Sequence, residues 1–136
     1  MKFVTLPSFR KNDSLVQLTD LLTVVPENNW TWAILDFYGI GHAPNNLSMD
    51  DFEKLVRSSP HGVFMTWSEL NEFSNSLEQI YDCLIIAAKS PQDIRGDQLK
   101  KEIFDNCEVV IEMFDSTKWS IWAKEKALME KILSVY

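Results

Sequence analysis

The chain is short of the residues that most chemistry needs. It has two cysteines and two histidines in 136 residues. Cys83 and Cys107 make neither a disulfide framework nor a zinc site. Cys83 also lies inside the apolar run IYDCLIIAA, where a free thiol behaves as a small hydrophobe. A Cys83–His nucleophile pair therefore has little behind it. His42 and His61 are candidates for a metal pair, but sequence spacing brings no carboxylate or thiol partners to them, and solvent-facing loop positions are the plainer reading. Glycine is scarce too, with only four. Gly39-Ile40-Gly41 opens like a dinucleotide fingerprint, but Pro44 stands where the third glycine belongs and no helix starts directly after Gly41, so a plain turn is expected. There is no phosphate-binding Gly-x-x-x-x-Gly-Lys loop and no Gly-x-Ser-x-Gly elbow. No apolar run approaches the length of a membrane span. The N-terminal MKFVTLPSF carries one lysine and a short apolar stretch ended by Pro7, too short for a secretory signal core. A reducing cytosol is the expected compartment. No cofactor is expected.

Positive charge is also in deficit. Twenty acidic residues stand against 13 basic ones, for a formal net charge of -7. That opposes non-specific nucleic-acid binding, which depends on neutralising phosphates. It equally opposes docking on anionic lipid. It favours a basic protein partner, because an acidic surface steers a cationic one. The plainer alternative is that mild acidity keeps the protein in solution. Five tryptophans and eight phenylalanines are generous for this length. Trp30, Trp67, Trp119 and Trp122 exceed what a small core hides easily, so one or two are expected to be partly exposed, and tryptophan is a typical interface hot spot.

The length fits one domain over residues 1–136, able to bury about two-thirds of its unfolded surface. The organising stretch is residues 60–89: a strand-length run at Val63–Trp67, a polar helical segment, and a second apolar run from Ile80 to Ala88. Before it, residues 2–6 predict a strand that Pro7 ends. The spacing of Leu15, Leu18, Leu21, Leu22 and Val25 predicts a helix capped by Asp13 or Ser14. Trp30–Tyr38 predicts a central strand, apolar on both faces. Ser48 caps a helix whose stripe is Phe52, Leu55 and Val56. Ser68 is the expected cap of the next helix, with Leu70, Phe73 and Leu77 on its apolar edge. Asp97–Phe104 predicts a short helix. Glu108–Phe114 and Lys118–Ala123 alternate as a hairpin around Asp115-Ser116-Thr117, and Lys124–Tyr136 closes the chain as a helix. The whole reads as a single α+β domain with a mixed, mostly antiparallel sheet of about five strands, helices packed on it and a C-terminal helix. Early strand–helix alternation permits one parallel pair.

Two acidic clusters stand out. One is Asp50, Asp51 and Glu53. The other contains Glu69, Glu72 and Glu78 beside Trp67. Acids in a first turn ordinarily serve the helix dipole. Their alternative role is to pair with lysine and arginine on a partner, and the expected contact residues are Asp50, Asp51, Glu53, Trp67, Glu69 and Glu72. Asp36 and Asp82 interrupt the two apolar strands. They could share a cleft and carry acid–base chemistry, or each could point to the solvated face or reach a donor at a strand end.

Three stretches carry a family resemblance: WTWAILDFYGIG, GVFMTWSELNEFSNSLEQIYDCLIIAA and VVIEMFDSTKWSIWAKEKALMEKI. A strand leads into a Trp-x-Glu-Leu helix (Trp67, Glu69, Leu70) and a second strand. A Phe-Asp-Ser hairpin (Phe114, Asp115, Ser116) follows, with an aromatic return strand at Trp119 and a final helix. This pattern resembles the small bacterial immunity proteins of polymorphic toxin systems, including contact-dependent growth inhibition. The resemblance implies a non-enzymatic cytoplasmic protein; a monomer or weak homodimer is expected. Such a protein binds a cognate toxin C-terminal domain, often a basic nuclease, and blocks its active site. A small enzyme or ligand-binding domain using Asp36 and Asp82, or the loop at residues 39–46, is the competing expectation.

Overall fold

A computed structural model describes residues 3–95 and 104–136. Its frame is one antiparallel sheet. The strands are β1 (Val4–Pro7), β2 (Thr31–Gly41), β3 (Val63–Met65), β4 (Leu77–Ala88), β5 (Cys107–Phe114) and β6 (Lys118–Ala123), in the order β1-β6-β5-β4-β2-β3. The α+β class, the mainly antiparallel sheet and the C-terminal helix agree with the sequence reading. The sheet has six strands rather than about five, and every pairing is antiparallel, so the parallel pair that early alternation permits does not form. β3 and β4 do run in the same direction, but β2 lies between them.

Four α-helices occur among the described residues: α1 (Leu18–Thr23), α2 (Met49–Ser58), α3 (Trp67–Asn75) and α4 (Lys126–Leu133). All four bury their apolar stripes on one face of the sheet. Leu21, Phe52, Val56, Leu70, Phe73 and Ile132 pack there against Trp32, Ile34, Phe37, Ile85, Ile111 and Trp119. Phe37, Phe52 and Phe73 form a ring trio with centroids 5.1–6.0 Å apart, which fixes α2 beside α3 over β2. On the opposite, outer face a smaller core joins Ala33, Ile86, Ala88 and Val110 to Ile94 and Phe104. Period-two alternation divides β5 between the two: Val109, Ile111 and Met113 face the helices, and Val110 faces outward.

Several local expectations need correction. The helix expected from residue 13 or 14 starts only at Leu18. Asn12 Oδ1 accepts from both the Ser14 amide (3.0 Å) and the Ser14 hydroxyl (2.6 Å), and Asp13 takes a left-handed φ of 68°. That local side-chain bonding offers the backbone a turn in place of a helix. Residues 8–16 fold back on themselves through Val16 N–H to Ser8 O (2.7 Å) and Arg10 N–H to Ser14 O (2.8 Å). Arg10 then ties this loop to the chain end: its Nε donates to Val135 O at 3.0 Å, and Nη2 reaches Asp20 Oδ2 at 3.3 Å. The cap of α3 is Thr66, not Ser68. Thr66 Oγ1 accepts from Glu69 N–H (3.1 Å) and Glu69 Oε1 from Thr66 N–H (2.9 Å), a reciprocal capping box. The Ser48 cap of α2 forms as expected, accepting from Asp51 N–H at 3.1 Å. The helix expected at Asp97–Phe104 lies, apart from Phe104, outside the described residues.

Gly39 and Gly41 end β2 rather than opening a phosphate loop. A Cβ at Gly41 (φ +148°) would meet Ser76 O at 2.5 Å, and one at Gly39 would meet Gln79 O at 2.6 Å. They are glycines because β4 passes too close for any side chain.

Candidate functional site

Two surfaces compete as the functional site, and the sequence-predicted residues divide between them. The first is the outer face of the sheet at the end away from Ile94 and Phe104. Register builds it row by row. Asp36 pairs with Leu84, Leu84 with Glu112 and Glu112 with Ser120, so one row crosses four strands. In the next row Tyr38 pairs with Asp82. Two bulges aim these side chains. Leu35 is an extra residue between the Ile34–Ile85 and Asp36–Leu84 pairs, and Tyr81 is another between the Tyr38–Asp82 and Gly39–Ile80 pairs. An extra residue re-aims everything that follows it. The result brings the Tyr38 and Tyr81 rings to 4.9 Å.

This surface is both aromatic and acidic. Tyr38 is 56% exposed, Phe114 58% and Ile40 44%, with Tyr81 half-buried between strands. Asp36 is exposed and Asp82 half-buried. The two carboxylates are diagonal neighbours on adjacent strands, a spacing of about 7–8 Å between backbone positions. Asp82 Oδ1 accepts from the Asp115 amide at 2.9 Å, which fixes the β5–β6 turn, where Asp115 and Ser116 both take positive φ. Asp82 thus reaches a donor at a strand end. Asp36 and Asp82 stand on an open face, and neither lines the cavities described below. Lys118 already shows what such a surface attracts, holding its Nζ 5.8 Å from the Phe114 ring centroid.

The second surface is a groove of about 270 Å³ between the His42–Asn45 loop, β3 and α3, with Glu69 and Glu72 on its wall and Met65 and Phe73 among its apolar lining. His42 N–H donates to Ser76 O at 3.1 Å and Ser76 Oγ to His42 O at 2.7 Å, which pins the loop to the end of α3. Asn45 and Asn46 take left-handed φ of 59° and 58° and swing the chain into α2. Asp50 and Asp51 are exposed in the first turn of α2, and Glu69 and Glu72 on α3, so these four face solvent. Glu69 is half-committed to its capping box.

Glu53 and Trp67 do not share that freedom. Glu53 is only 7% exposed and its Oε2 accepts from Gly39 N–H at 3.1 Å, inside the α2–β2 contact. It belongs to the fold, and the expectation that it meets a partner is corrected. The stripe held the signal: Met49, Phe52, Glu53 and Val56 fall on one helical face. Trp67 is half-buried, its ring 5.4 Å from that of Trp32. Trp30 lies 6.1 Å from Trp32, so the buried Trp32 indole contacts both of the half-buried ones. Trp119 is fully buried, with its Nε1 donating to Val16 O at 2.9 Å, and Trp122 is half-buried. The exposed large apolar side chains include Tyr38, Phe114 and Ile40 on the outer sheet face, and also Phe9 and Phe64; the sequence reading proposed none of them as a contact. The signal for Tyr38 and Ile40 was the alternation of Asp36, Tyr38 and Ile40 along one face of β2.

Nucleophilic chemistry finds no support at the cysteines. Burial pushes the Cys83 thiol up to about 12, with Asp36, Glu112 and Asp82 adding to the rise against a backbone hydrogen bond from Met113. Burial likewise raises Cys107, to about 11, against the pull of Lys124. Both stay protonated at neutral pH, and the thiolate is the reactive form. Cys83 faces the helices, whereas His42 and His61 are exposed in loops. Among the described residues no three His, Cys, Asp or Glu side chains group to hold a metal ion, and no helix is long and apolar enough to cross a membrane. No family model, curated protein or solved structure matches the chain.

Proposed function

We propose that this protein is a cytoplasmic immunity protein, which binds one basic toxin C-terminal domain and blocks its active site without performing a reaction itself. The observation that carries the reading is the outer sheet face, where exposed Tyr38, Ile40 and Phe114 stand among the carboxylates of Asp36 and Asp82. Exposed aromatic and branched side chains give an anchor with little entropy to lose on binding, and anchors of this kind dominate interface energy. Carboxylates beside ring faces select cationic groups: an arginine docking there gains an ion pair and a ring contact at once. The net charge of -7 adds long-range attraction to a basic domain and repels nucleic acid. Asp50, Asp51, Glu69 and Glu72 extend the acidic surface on the helical side, where they contribute to steering. The resemblance of the strand–helix–strand and hairpin stretches to immunity proteins points the same way.

The test is co-production in cells with the toxin C-terminal domain encoded beside this chain. Growth is expected to be restored by the native protein and lost again with a Tyr38→Ala/Phe114→Ala pair. Killing that the native protein leaves untouched, together with no complex at micromolar concentration, would refute the reading.

A further inference from the structure

The groove beside α3 has a polar wall and an apolar one. Glu69, Glu72 and Phe73 fall at helical steps of three and four, so one stripe of α3 forms the first. Val63 and Met65 of β3 supply the second. Its volume of about 270 Å³ exceeds the roughly 150 Å³ that takes up benzene and falls short of the roughly 300 Å³ at which drug-sized pockets begin, so it suits one long side chain. Another cavity, about 80 Å³ under the folded-back loop of residues 8–17, has no such room. Among the described residues Glu72 has no hydrogen bond or ion pair, and no lysine or arginine lines the groove. The walls are preformed: the capping box fixes the start of α3, and the bonds between Ser76 and His42 fix its end. Among the described residues no strand lies beyond β3, so its outer backbone edge can pair with an extended segment.

We infer that this groove receives one arginine side chain from an extended segment of a partner protein laid along the edge of β3. Alternate side chains of a strand added there point to the helical side, where Val63 and Met65 line the groove. The apolar stem of an arginine can lie on those two residues while its head reaches the acids. A guanidinium carries five donors in a planar fork, which matches two carboxylates better than the point charge of lysine does. The inference goes beyond the toxin reading. It gives Glu69 and Glu72 a contact where that reading asks only for steering, and the outer sheet face lies on the opposite side of the sheet.

The experiment titrates a short, capped, threonine-rich peptide with one central arginine into the isotope-labelled protein. Versions with lysine or citrulline in its place, and free butylguanidine, are titrated beside it. The arginine peptide is expected to give saturable shifts confined to the amides of Phe64, Met65, Glu72 and Phe73. The lysine peptide should bind more weakly. The citrulline peptide, which keeps the shape without the charge, should bind at least about fivefold more weakly, the upper end of what one solvent-accessible ion pair contributes. Butylguanidine should bind at least about tenfold more weakly than the arginine peptide, since it cannot pair with the strand edge. Glu72→Gln should bring the arginine and citrulline peptides to within about twofold of each other at unchanged Tm, because Glu72 is exposed. Glu69→Gln, which keeps the capping acceptor, should narrow the same ratio with α3 intact. An arginine peptide no tighter than the citrulline one, or no saturation at millimolar concentration, would overturn the inference. So would shifts at Tyr38 and Phe114 in place of the groove, or butylguanidine binding as tightly as the peptide.

Discussion

Glu53 offers the sharpest division between holding the fold and meeting a partner. It sits in α2 among exposed acids, yet its Oε2 accepts the Gly39 amide at 3.1 Å in a buried setting. Replacing it with alanine leaves that amide without an acceptor beside the β2–β4 bulge. A hydrogen bond to a charged group contributes about 1.5–3 kcal/mol, and orphaning a buried donor costs a similar amount, so Glu53→Ala should cost about 2–3 kcal/mol. With an unfolding entropy near 2.1 cal/mol/K per residue, that corresponds to a fall in Tm of about 7–10 °C for a chain of this length. Glu53→Gln keeps an acceptor in reach and should lose about half as much. Asp50→Ala, three residues earlier in the same helix but exposed, should change stability by less than about 0.5 kcal/mol. Thermal and urea unfolding of the three variants decide it. Equal stability of Glu53→Ala and the native protein, or a loss confined to partner binding, would refute the assignment.

Other outcomes follow from the same geometry. The Tyr38→Ala/Phe114→Ala pair should weaken the proposed toxin binding by about 2 kcal/mol or more per ring at unchanged Tm, since both rings are exposed, as calorimetric titration beside thermal unfolding would show. Gly41→Ala should destabilise by more than about 1 kcal/mol, because its φ of +148° and the 2.5 Å approach to Ser76 O leave a methyl no place. Cys83 is held protonated in the folded state, from an ordinary 9.0 to about 12, so its contribution to stability is complete below pH 9 and lost as pH rises from 9 toward 12. Cys83→Ala should flatten the alkaline limb of the stability profile, and a thiol reagent at pH 8 should label Cys83 only on unfolding.

Where the sequence speaks through period and turn chemistry, it is readable. The β5–β6 hairpin follows from strict alternation on either side of Asp115-Ser116, whose positive φ matches what a tight hairpin asks of Asp and its neighbours. The α2 helix follows from Ser48 and the Phe52–Val56 stripe. Where competition between local bonds decides, it is not. Leu15 and Leu18 have helical spacing, yet Asn12 captures the backbone of Ser14 and delays α1 to Leu18. Strand direction is set by which edges meet, and β3 and β4 being separated by β2 leaves no trace in their composition. For the site, the acidic clusters were visible as charge, but which acids are spare depends on tertiary contacts: Glu53 is consumed by Gly39 and Glu69 half-consumed by Thr66. The aromatic outer face escaped notice because Tyr38 and Phe114 sit in strands whose alternate residues fill the core, and two bulges decide what the remainder meets.

The most direct measurement is calorimetric titration of the native protein, and of the protein with Asp36→Lys and Tyr38→Ala combined, into the toxin domain that the proposed function calls for. A nanomolar complex that weakens at least a hundredfold in the variant, with the fold intact by circular dichroism, is the result expected. A complex of equal strength from both proteins, or heat indistinguishable from dilution at micromolar concentration, would contradict the assignment of the outer sheet face as the surface through which this protein acts.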